Sequence, residues 1–364
     1  QKEGIHMHTV YQHGGDIYSN QVSMDYSANI NPLGLPEGVK KALIQCINDQ
    51  TCCVYPDSQC RELVKALSIH HQVPEDWILC GDGAADLIFG LAFALKPRKA
   101  LLLAPSFLEY EQALKAVNCE ISLFYLKEEN GYRLNVDELC RKVEQTSTIS
   151  EPAFDILFLC NPNNPTGVLI PAQILTSIAE CCRDNKIRLF LDECFLDFTG
   201  REEENSLVRK LKEYPNLMIL KAFTKMYAMA GVRLGFGLTA DTELVDRMYQ
   251  AGPPWNVSVL ASAAGKAALK EDDFVKETVQ YIRKEKEYLY QTLDTLRVRY
   301  WKSAVNYILL KSDRTLKERL ITEGILIRDC SNYRNLSEGY FRIAVKSHAD
   351  NEKLTAALKV VLER

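Results

Sequence analysis

Between residues 77 and 237 the chain alternates short apolar runs with segments of helical periodicity. The runs 77–80, 100–103, 121–126, 155–160, 187–191, 217–221 and 233–237 are nearly continuously apolar, the pattern of strands buried on both faces. Helical patterns at 85–95, 109–117, 136–144 and 172–183 fall between several of them. This alternation predicts an α/β fold with a mostly parallel sheet covered by helices. In such folds the chemistry gathers where the C-terminal ends of strands meet the following loops.

After Gly252 the pattern changes. Pro253-Pro254 interrupts the chain, and helices are predicted over 258–270 and 273–296. The remainder reads strand 306–311, helix 314–322, strands 325–328 and 340–345, and helix 351–362. We expect residues 1–45 to pack on both domains, 46–257 to form the large domain and 258–364 a smaller α+β domain. Within 1–45, periodicity starts only at the helix 37–47.

Composition narrows the function classes. Lys plus Arg total 44 and Asp plus Glu 48, a formal charge of −4 over 364 residues. That balance gives no electrostatic footprint for nucleic acid or an anionic membrane. The longest apolar stretch, 87–95, is far short of the roughly 20 residues of a membrane span. The twelve cysteines form no Cys-x-x-Cys pair, and Cys52-Cys53 and Cys181-Cys182 are adjacent. Neither zinc nor a disulfide framework follows, so a reduced, cytoplasmic protein is expected. The N-terminus shows no charged-then-apolar leader pattern.

Three segments carry candidate chemistry. Lys225 follows a strand end, with Gly231 six and Arg233 eight residues on. Alone, such a lysine is a solvated loop residue. With Arg233 as a bidentate anion clamp and Thr224 as a hydroxyl, it is a candidate for covalent catalysis through its amine. Asn161-Pro-Asn-Asn164-Pro165-Thr166-Gly167 follows the strand ending at Cys160, and Asp192-Glu193 ends another. Each alone reads as a turn or a helix cap; the ordered set Asn164, Asp192, Lys225, Arg233 is far more specific. No Gly-x-Gly-x-x-Gly follows the first strand, which disfavours a dinucleotide-binding dehydrogenase.

On these residues the chain resembles the pyridoxal 5'-phosphate enzymes of the aspartate-aminotransferase fold, along essentially its whole length. The resemblance implies that Lys225 bonds to the cofactor aldehyde and that Asp192 pairs with its pyridine nitrogen. It also implies that Asn164 hydrogen-bonds the ring oxygen and Phe107 stacks on the ring. The phosphate would be held by Arg233, Thr224 and the amides of Gly83, Ala84 and Ala85 at a helix start. Tyr55 would reach the phosphate of a neighbouring subunit, making a homodimer with a shared active site. Two positions depart from the pattern: Ala222 replaces a phosphate-binding serine or threonine, and Phe195 replaces a tyrosine that donates to the ring oxygen.

Finer signals are His13-Gly-Gly-Asp16, Ser27-Ala-Asn-Ile-Asn31-Pro-Leu-Gly34, Asp192-Glu-Cys-Phe-Leu-Asp-Phe198, Ile327-Arg-Asp-Cys-Ser331 and Gly339-Tyr-Phe-Arg-Ile-Ala-Val345. Together they resemble the threonine-phosphate decarboxylases of cobalamin biosynthesis, while Cys194 and the segment Gly81-Asp-Gly-Ala-Ala-Asp86 depart from that pattern. The alternative is an aminotransferase of the histidinol-phosphate type. The resemblance implies that His13, Asn31 and Arg328 bind a substrate phosphate and that Arg342 binds the α-carboxylate. The expected reaction converts O-phospho-L-threonine to (R)-1-amino-2-propanol phosphate.

Overall fold

In a computed structural model, residues 13–146 and 152–363 are described. The leader reading above concerns residues 1–12, outside the described residues. Seven strands form the central sheet: β1 (Ile78–Gly81), β2 (Lys99–Ala104), β3 (Glu120–Tyr125), β4 (Ile156–Cys160), β5 (Arg188–Asp192), β6 (Leu217–Ala222) and β7 (Gly235–Thr239). Their order is β1-β7-β6-β5-β4-β2-β3, and every pairing is parallel except the two made by β7. β4, β6 and β7 are buried at every residue, and β5 at all but Arg188, because helices cover both faces.

The strand predicted at 233–237 starts two residues later. Arg233 has a φ of 63°, outside the β region, so the chain turns there before pairing at Gly235. Apart from Asp86 in its first turn, the helix Gly83–Leu95 is apolar, and it buries Leu87, Ile88, Leu91 and Ala92 against the sheet. Helices Arg61–His71 and Thr242–Ala251 lie outside the predicted set. The second carries a sequence signal: the Asp241 carboxylate caps it by accepting the Leu244 amide at 3.0 Å.

The C-terminal part holds a four-stranded antiparallel sheet: Arg328–Asp329, Tyr340–Ala344, Tyr307–Lys311 and Arg299–Trp301, in that order. The long helix Asp272–Thr295 and the helix His348–Glu363 pack together beside it. The N-terminal segment is tied to this part: Met24–Asp25 pairs in parallel with Ile325–Leu326, and Tyr26 hydrogen-bonds Asn351 at 3.1 Å. Its backbone also meets the large sheet's loops, where the Asn31 amide donates to the Lys225 carbonyl at 3.2 Å.

Candidate active site

Sheet register gathers the site. Cys160 pairs with Asp192, Asp192 with Leu220, and Ala222 with Gly235, which in turn pairs with Gly81. The C-terminal ends of β1, β4, β5 and β6 therefore lie side by side, and the loops after them converge on one cavity of about 250 Å³. His13, Ala84, Ala85, Phe107, Asn164, Asp192, Thr224, Lys225, Arg233, Arg328 and Arg342 all line it.

The carboxylate of Asp192 is buried, and burial pushes its pKa up against the donors around it. The Tyr110 hydroxyl donates to Oδ2 at 2.6 Å and the Cys194 amide to Oδ1 at 2.9 Å. Burial, followed by the Arg342 guanidinium, pulls the Lys225 ammonium down to about 8. Its Nζ lies 5.9 Å from the centre of the Phe195 ring. A lysine so shifted holds far more of its free amine, the nucleophilic form, near neutral pH than an ordinary lysine does.

Next to these lies a tight backbone cradle. Gly83 opens its helix at φ 79°, and a Cβ there would sit 2.5 Å from Nη2 of Arg233. A Cβ on Gly235 would meet the Gly83 carbonyl carbon at 2.9 Å and the Ala84 nitrogen at 3.1 Å. Glycine at both positions lets the helix start, Arg233 and β7 close on one another. The Arg233 guanidinium also donates to the carbonyls of Ala230 and Asp82, at 3.2 and 3.4 Å. Free amides at a helix N-terminus beside a guanidinium form an anion site.

Across the cavity Arg328 and Arg342 are direct register partners on adjacent antiparallel strands, and both are buried. Arg342 donates to Asn164 Oδ1 at 2.5 Å and to the Ser27 carbonyl at 2.9 Å, while its buried Nε has no hydrogen-bond partner among the described residues. Arg328 donates to Asn332 Oδ1 at 2.9 Å and to the Asp329 carbonyl. His13 Nδ1 lies 3.0 Å from Oε1 of Glu109.

Two expected residues lie elsewhere. Asn31 is buried outside the cavity, its amide donating to the Met226 carbonyl at 2.7 Å and to Thr278 Oγ1 at 2.8 Å. Both amide hydrogens are consumed in the fold, which corrects its expected contact with a substrate phosphate. Tyr55 is 81% exposed and packs against Trp255, with ring centres 4.9 Å apart, away from this chain's cavity. Conversely, Tyr110, Glu109 and Tyr333 belong to the site without having been singled out. Tyr110 stands three residues after Phe107, a spacing that places both on one side of a helix start. Tyr333, whose hydroxyl reaches Asn164 Oδ1 at 3.4 Å, follows a two-residue strand with no periodic signal.

Fold and site together define an α/β enzyme with a buried lysine and carboxylate between two anion sites. The chain matches the class I and II aminotransferase family over residues 22–361 and belongs to it. A threonine-phosphate decarboxylase of Salmonella typhimurium is 41% identical over 367 residues, covering 96% of each chain. A histidinol-phosphate aminotransferase of Clostridium acetobutylicum superposes with a TM-score of 0.85 at 30% identity, over 93% of this chain and 99% of that one. That of Sinorhizobium meliloti, solved with pyridoxal-5'-phosphate, shares the fold with a TM-score of 0.86 at 20% identity, over 98% and 96%. Among the described residues no helix is long and apolar enough to cross a membrane.

Proposed function

We propose that this chain is a pyridoxal 5'-phosphate-dependent decarboxylase of O-phospho-L-threonine, yielding (R)-1-amino-2-propanol phosphate for cobalamin biosynthesis. The observation that carries the reading is the register pairing of Arg328 with Arg342. Like charges directly opposite on a sheet repel. A substrate with a phosphate and a carboxylate converts that repulsion into two charge-assisted sets of hydrogen bonds. The 41% identity to the Salmonella decarboxylase supports the same substrate.

The residues fit the cofactor. The cradle that a Cβ at Gly83 would fill takes its phosphate, with Ala84, Ala85, Thr224 and Arg233. Asp192 is a buried carboxylate with no cation of its own among the described ion pairs, and suits a protonated ring nitrogen. Phe107 supplies an aromatic face. Because Asn164 Oδ1 already accepts from Arg342, its amide nitrogen is the donor left for a ring oxygen. When bound, the cofactor is an electron sink for the pair released as a bond at Cα breaks.

The chain's own groups decide which bond breaks. Arg342 grips the carboxylate and sets the torsion about N–Cα; His13 and Arg328 hold the phosphate. Phe195 and Ala222 wall the cavity without donating, and Lys225 delivers a proton to Cα once CO2 has left. Exposed Tyr55 is the residue that completes a neighbour's phosphate site, so the working unit is a homodimer. The twelve free thiols suit a reducing cytoplasm.

A histidinol-phosphate aminotransferase is the second reading, favoured by the Clostridium structure at 30% identity. Incubation of the cofactor-loaded protein with O-phospho-L-threonine and no oxoacid separates the two. CO2 in excess over enzyme establishes the decarboxylase. No CO2, with amino-group transfer from histidinol phosphate to a 2-oxoacid, establishes the aminotransferase.

A further inference from the structure

Glu109 is an anomaly in this cavity. The pocket is built for anions, with Arg233, Arg328 and Arg342 on its walls, yet a carboxylate faces into it from the first turn of the helix Leu108–Ala116. Its side chain is only 14% exposed, and its Oε2 is buried without a hydrogen-bond partner among the described residues. An uncompensated carboxylate there would oppose the binding of any phosphorylated, carboxylated substrate. Its negative charge also reaches Asp192, Lys225 and Tyr333.

The contact that accounts for it is His13, whose Nδ1 lies 3.0 Å from Glu109 Oε1. An imidazole that donates from Nδ1 to a carboxylate has its ring plane and tautomer fixed, with Nε2 on the opposite side. His13 lies outside any helix or strand and is 43% exposed, and among the described residues Glu109 is the side chain that orients its ring. Resting on the phosphorylated-substrate reading above, we propose that Glu109 is a positioning residue. It holds His13 as an oriented donor toward the substrate phosphate, and His13 in turn shields the substrate from the carboxylate.

The two residues must then act as a unit, and a double-mutant cycle on the cofactor-loaded enzyme tests it. Dissociation constants are measured for O-phospho-L-threonine and for histidinol phosphate, alongside kcat and KM with whichever is turned over. Losing an oriented charge-assisted bond weakens binding about tenfold. Glu109→Gln is therefore expected to raise Kd and KM about tenfold with a much smaller change in kcat. In a His13→Ala background the same substitution should cause no further loss, and it should recover part of the binding by removing the exposed carboxylate.

Additive losses in the two variants would overturn the proposal, as would an unchanged Kd in Glu109→Gln. A fall in kcat at constant KM would also overturn it, placing Glu109 in the chemistry instead. If the wild type binds histidinol phosphate and not O-phospho-L-threonine, the substrate reading fails. The cycle is then scored on histidinol phosphate, which carries the same phosphate monoester.

Discussion

The Tyr110 hydroxyl donates to Asp192 Oδ2 across 2.6 Å, with both residues buried where the helix Leu108–Ala116 meets the cavity. That bond stabilises the charged carboxylate against the burial that pushes its pKa upward. Tyr110→Phe removes it without changing the ring's packing on Phe158. A hydrogen bond to a charged group is worth about 1.5–3 kcal/mol. The variant should therefore bind pyridoxal 5'-phosphate at least about tenfold more weakly and turn over correspondingly slower. Equilibrium dialysis of the cofactor checks it; unchanged affinity and kcat would remove Tyr110 from the site.

On the proposed reading Lys225 bears the chemistry, and it bears little of the fold, since no ion pair holds its Nζ among the described contacts. Lys225→Ala should lose turnover entirely while keeping its circular dichroism spectrum and melting temperature within a few degrees. Turnover at the wild-type rate would refute the assignment.

The same lysine leaves a signature in the cofactor-free protein. Its folded pKa of about 8 lies below the unfolded value of roughly 10.4. Between those values the unfolded chain holds a proton that the folded chain has lost. Stability contributed by this group therefore rises with pH from about 8 to about 10.4. Lys225→Met should erase that portion. Denaturant titrations at pH 7.5 and 9.5 on both proteins should show the wild type closing the gap on the variant as pH rises; a constant gap would contradict the shift.

Much of this was legible in the sequence because strand ends carry it. All seven large-sheet strands follow from apolar runs, the last displaced by two residues; Asn164, Asp192 and Lys225 stand at or just after the ends of three runs, and Arg233 follows from its spacing to Lys225. What stayed hidden depends on pairing across the fold. Nothing in the chain order announces that Arg328 faces Arg342, because register is set by backbone contacts between separate segments. Nor does it announce that Asn31 spends its amide on Met226 and Thr278.

Arg342 is held from two sides, by Asn164 and by the Ser27 carbonyl, with the Tyr307 ring centre 5.2 Å from its guanidinium. A pre-positioned guanidinium binds a carboxylate without spending further ordering entropy. Arg342→Ala should raise KM and lower kcat/KM by about 2–5 kcal/mol, the cost of leaving a buried anion unpaired. It should also raise the pKa of Lys225, since Arg342 is the leading nearby charge holding that amine down. Steady-state kinetics of the loaded enzyme reads the first effect, and the pH dependence of stability of the cofactor-free protein reads the second. A near-neutral result would mean that another group anchors the carboxylate.

Asn31 provides the converse test, because its partners are structural. It links the Met226 carbonyl, the Thr278 hydroxyl and the Leu33 amide, and its own amide donates to the Lys225 carbonyl. Asn31→Ala leaves the Met226 carbonyl and Thr278 without these bonds, at a cost of about 1–3 kcal/mol. The backbone bond to Lys225 survives, so the lysine keeps its place. Thermal unfolding should therefore shift downward by a few degrees, while KM for O-phospho-L-threonine stays within about twofold of wild type. A KM raised tenfold with an unchanged melting temperature would return Asn31 to the substrate phosphate, where the family resemblance had put it.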